Sequence, residues 1–157
     1  MNKVLTAAAA VAALGGASLI TAALSPAHAA LGQPAASVAA DRARMKAQLR
    51  QVAGVGYTVD QITTPAGTVV KEFISPAGMV FAVSWFGPTL PNLAQLLGST
   101  YFRRLTTAEK THSFGHDHVQ LRTPHLVVHA GGHMRQFYGM AYVPSLVPAN
   151  LSISDLH

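Results

Sequence analysis

The chain has 157 residues, no cysteine, and eleven Lys or Arg against six Asp or Glu, a formal charge of +5 at neutral pH. One domain of ordinary size fits that length. Disulfides and a thiol nucleophile are excluded, and the scattered cations, without any arginine-rich run, argue against a nucleic-acid partner.

The N-terminus has three zones. Met1-Asn2-Lys3 is short and positive, residues 4–24 are apolar, and Ser25-Pro26 leads into Ala27-His28-Ala29. Small side chains at Ala27 and Ala29 suit a signal peptidase, and Pro26 keeps the site extended. The pattern predicts a cleavable secretory signal over residues 1–30 and a periplasmic or secreted product. The apolar stretch is long enough to span a bilayer, but it is Ala-rich and interrupted by Gly15-Gly16, which weighs against an uncleaved anchor. With no cysteine near the site, a lipoprotein anchor is excluded. Residues 31–148 read as a single α+β domain and residues 149–157 as a flexible tail.

A helix is predicted over residues 37–52, capped by Ser37 and ended by Gly54. Val38, Met45, Leu49 and Val52 share one narrow arc. Arg42, Lys46 and Arg50 form a stripe beside it, which reads either as a solvated flank or as a contact to an anionic surface. Residues 57–63, 68–74 and 79–86 read as strands of a meander. They are joined by two matched turns, Thr64-Pro65-Ala66-Gly67 and Ser75-Pro76-Ala77-Gly78. In each, Pro presets one turn position and Gly supplies a left-handed one. Short helices are expected over residues 92–97 and 101–111, then a loop over 111–117. A last hairpin is predicted with strands at 125–130 and 133–143 and Gly131-Gly132 as its turn.

Candidate chemistry is sparse. His112, His116 and His118 lie in one polar loop and could give zinc or copper its ligands; the plainer reading is a solvated loop. His125, His129 and His133 are four apart, but on a strand and turn they cannot converge on one ion. Asp60 and Glu72 fall on neighbouring predicted strands and could form an acid–base pair. Lys71 beside Glu72 suggests instead that both carboxylates belong to exposed strand faces. No G-x-S-x-G elbow and no phosphate-binding glycine loop occurs. Trp85, Phe86, Phe137, Tyr138 and Tyr142 read as core, with a groove for lipid, glycan or peptide as the alternative.

Five segments together resemble a known family. They are Leu31-Gly32, Gly56-Tyr57-Thr58-Val59, Pro65-x-Gly67-Thr68-Val69-Val70-x-Glu72, the run from Ser75-Pro76-Ala77-Gly78 to Trp85-x-Gly87-Pro88-Thr89-Leu90-Pro91, and Gly131-Gly132-His133-Met134-Arg135. The family is a bacterial one termed domain of unknown function 2844. The resemblance covers nearly the whole mature chain. It implies a small exported bacterial protein without assigned activity, and carries over no catalytic or ligand residue. The His-rich loop lies outside the pattern.

The sequence therefore predicts an α+β fold, an N-terminal helix packed on a small antiparallel sheet made of the meander and the C-terminal hairpin. The expected function is non-enzymatic binding or envelope association, with no catalytic residue and no cofactor assigned. The alternative is a small metal-dependent enzyme or hydrolase built on His112, His116 and His118.

Overall fold

A computed structural model of the chain describes residues 31–111 and 118–156. The signal expected over residues 1–30 lies outside the described residues. The elements are α1 (Val38–Met45), β1 (Gln48–Ala53), β2 (Thr58–Thr63), β3 (Val69–Ile74), β4 (Val80–Gly87), α2 (Leu93–Thr111), β5 (His118–Arg122), β6 (Val127–His133) and β7 (Gln136–Tyr142). The strands make one seven-stranded sheet in the order β1-β2-β3-β4-β7-β6-β5. Every neighbouring pair is antiparallel.

The expected arrangement of a helix on a small sheet is corrected: this is a mostly-β fold with two helices. The first error lies at residues 37–52. The helix stops at Met45, where Lys46 takes a left-handed φ of 50° and its N–H closes back on Ala43 O. Residues 48–53 instead pair along their whole length with β2. Sheet pairing overrides helical periodicity here, because a β-strand satisfies every backbone group on its inner edge. Val52, expected in the core arc, is 41 % exposed.

The meander follows its turns. Gly67 and Gly78 take positive φ, and their N–H groups donate to Thr64 O and Ser75 O. Opposite the Phe73/Ile74 step the register slips by one residue. That bulge puts Phe81 and Ala82 in one core cluster and Val80 and Val83 in the other. In α2, Asn92 caps the start by accepting from Gln95 N–H, and Gly98 (φ 71°, ψ 160°) breaks the helix in two. This agrees with the two short helices expected there.

The last hairpin exists, but its turn is displaced. His133 pairs with Gln136, so Met134-Arg135 is the two-residue loop, and both residues have positive φ. Gly131 and Gly132 lie inside β6. A side chain at Gly132 would strike the backbone of Gln136 and Phe137, so this glycine permits close strand approach instead of turning the chain.

Each sheet face has its own cover. On one side Ile62, Val70, Val83, Trp85, Val128 and Ala141 pack with Leu31, Val38 of α1 and Leu96, Leu97 and Leu105 of α2. On the other, Val59, Phe73, Phe81 and Ala82 pack with Leu146, Leu151, Ile153 and Leu156. Residues 149–156, read from sequence as a fraying tail, thus place three apolar side chains on the sheet, and Leu156 is 6 % exposed. The spacing of Leu151, Ile153 and Leu156 fits no long element, so periodicity does not reveal the segment. No helix among the described residues is long and apolar enough to cross a membrane.

Candidate functional site

The tail covers only part of its face. Read across the sheet, one register row is Val52, Val59, Phe73, Ala82, Tyr142, Val127, Arg122, covered at its centre and exposed at both ends. The next row on the same face is Arg50, Gln61, Lys71, Ser84, Met140, His129, Gln120, and beyond it lies Gln48, Thr63, Val69, Phe86, Tyr138, Gly131, His118. That outer row is open: Phe86 is 57 % and Tyr138 44 % exposed, and Gln48 and His118 are exposed at its ends. Six strand spacings make it about 29 Å long.

At the β1 end these rows run into a cleft of about 550 Å³ lined by Lys46, Gln48, Leu49, Arg50, Gln61, Thr63, Thr64 and Pro65. Two of the three cations singled out from the sequence, Lys46 and Arg50, therefore meet. They do so across a helix end and a strand, not along a helix stripe. Arg42 is exposed on α1 and does not line the cleft. Lys71 stands two strands away in the same row as Arg50. These two rows hold no acidic side chain; Asp155, on the tail, is exposed.

The carboxylates of the sheet are on the opposite side. Asp60 and Glu72 face each other across β2 and β3, as the sequence suggests, but they are buried at 5 % and 1 % exposure, not solvated. Asp41 of α1, fully buried, joins them. Gln95 Nε2 donates to Asp41 Oδ1 (2.6 Å) and Gln51 Nε2 to Asp60 Oδ1 (2.8 Å). Burial, then the charge of Asp41 and a hydrogen bond to it, then the charge of Asp60, push the Glu72 carboxyl from 4.5 up to about 8. Glu72 is thus neutral at pH 7. With a proton on Glu72, two buried carboxyls share one hydrogen bond instead of repelling. The cluster holds α1 to β3 and lies apart from the described cleft.

A family model described as "Protein of unknown function (DUF2844)" matches residues 27–156. The chain belongs to this family. No curated protein and no solved structure matches it.

In this DUF2844 chain the expected histidine groups do not assemble. His112 and His116 lie outside the described residues. His118 begins β5, is exposed, and its Nε2 lies 3.3 Å from Tyr138 Oη. His129 and His133 share strand β6, and His125 precedes it. The displaced turn makes His129 the partner of Met140, so His129 and His133 are on one side of β6. No set of three potential ligands is close enough to hold a metal among the described residues. Sequence reasoning missed β5, and with it the pairing that aligns His118, Gly131 and Tyr138. It also read Phe86 and Tyr138 as core. The cue that could have separated them is the alternation in β4 and β7, where the neighbours Trp85 and Gly139 belong to the helix-covered face.

Proposed function

We propose that this protein is a non-enzymatic, exported binding domain of the cell envelope, periplasmic or secreted, that holds an anionic polymer on its open sheet face. One observation carries the reading: the outer rows of this sheet face carry cations and no carboxylate. Lys46, Arg50 and Lys71 stand on or beside the open rows, whereas Asp41, Asp60 and Glu72 are buried behind the other face. A surface with cations and no opposing carboxylates attracts a polyanion and gains from each counterion it displaces. Amide and hydroxyl side chains between the cations, Gln48, Gln61 and Thr63, supply neutral hydrogen-bonding groups. The leader-like N-terminus supports export.

The test is co-sedimentation with isolated bacterial envelopes at low and high salt. The wild-type protein pellets at low salt and is released at high salt. The Arg50→Ala/Lys71→Ala double variant stays in the supernatant under both conditions. Equal pelleting of both proteins, insensitive to salt, contradicts the reading. So does recovery of the native protein from the cytosol with Met1 retained.

A further inference from the structure

We infer that the polymer is an acidic polysaccharide, its sugar rings stacked on Phe86 and Tyr138; this deepens the binding-face reading above and rests on it. Phe86 lies on β4, the central strand of the sheet, yet it is more than half exposed. Its register partner on β7 is Tyr138. The Tyr138 hydroxyl reaches His118, which lies two strands away on β5, and the residue between them on β6 is Gly131. To span two strand spacings the ring must lie down across the glycine, with one face on the sheet and the other toward solvent. Phe86 and this flattened ring are register partners on one row of the face, and both are exposed.

A flat aromatic platform suits a ligand with a flat apolar face and polar edges. A pyranose has this form: its axial C–H groups meet the ring, and its hydroxyls point sideways. The side groups here match. Lys71 is the diagonal neighbour of Phe86, because Lys71 pairs with Ser84 and Phe86 with Val69. Diagonal cross-strand neighbours are about 7–8 Å apart at their backbones, within reach of a long side chain. One sugar unit can therefore put its ring on Phe86 and its carboxylate on Lys71. Further units meet Gln61 and Arg50 in the adjacent row toward β1 and His118 in the same row toward β5.

The experiment uses protein exported from a bacterium expressing the full chain, titrated with alginate (a polyuronate), neutral dextran and single-stranded DNA. Alginate binds, more weakly as salt rises, and better than dextran or DNA. Phe86→Ala and Tyr138→Ala each lower alginate affinity about tenfold, the order that loss of one stacked ring produces. Both variants stay folded at the titration temperature, with melting temperatures lowered by no more than loss of a cross-strand pair produces. If the aromatic variants keep full affinity while Arg50→Ala/Lys71→Ala loses it, the stacking inference fails and the anionic face stands. Tight DNA binding that depends on Phe86, with none to alginate, overturns the inference in favour of base stacking. If no variant alters binding, both readings fall.

Discussion

Glu72 shows how one buried proton ties stability to pH. Its folded pKa of about 8 exceeds its ordinary 4.5, so the folded chain holds a proton that the unfolded chain has released between those values. The stabilisation is fully present below about pH 4.5 and is lost as pH rises toward 8, with a slope of at most about 1.4 kcal/mol per unit. Urea unfolding should give a midpoint that falls steadily from pH 5 to pH 8. In Glu72→Gln, which keeps a donor for Asp41 but cannot ionise, that decline should vanish. A second residue-scale prediction concerns Gly139. A Cβ there would run into the Trp85 ring, so Gly139→Ala should cost about 2 kcal/mol in thermal unfolding. The facing of Asp60 and Glu72 was legible, because the matched turns set the register of β2 and β3. Their burial was not. Val70, Glu72 and Ile74 alternate with Lys71 and Phe73, so both faces of β3 mix apolar with charged residues and alternation does not say which face is covered.

At the scale of elements, local chemistry succeeded where a turn demands it and failed where a partner strand decides. The Pro-x-Gly turns and the Gly98 break could be read from residues that few alternatives suit. Residues 48–53 could not, since Leu49 and Val52 fit both a helical arc and a strand, and only pairing with β2 selects the strand. The last hairpin places Met134 and Arg135 at φ 48° and 70°, where a side chain is strained. Met134→Asn/Arg135→Gly, the residues such a loop prefers, should raise stability by about 1 kcal/mol without altering the fold. A thermal melt beside a circular dichroism spectrum checks both parts.

For the whole molecule, the seven-stranded sheet has two faces under different covers. Two helices fill one, and the C-terminal segment shields only the row that includes Phe73 and Ala82, beside Phe81. Leu156→Ala should lower stability by about 2 kcal/mol, and a chain ending at Pro148 should expose enough apolar surface to bind a hydrophobic dye. The segment stops short of the row that carries Phe86 and Tyr138, which leaves an aromatic and cationic strip across the sheet. The strip is assembled from residues 48 to 138, and β4 and β7, which carry Phe86 and Tyr138, become neighbours only in the folded sheet. Its existence was therefore invisible to any reading along the chain. The most direct test is a nuclear magnetic resonance titration of the isotope-labelled protein with alginate oligomers. The account predicts shifts at Thr63, Val69, Phe86, Tyr138, Gly131 and His118 while α1 and α2 stay unperturbed. Shifts centred on the helix-covered side, or none anywhere, would contradict it.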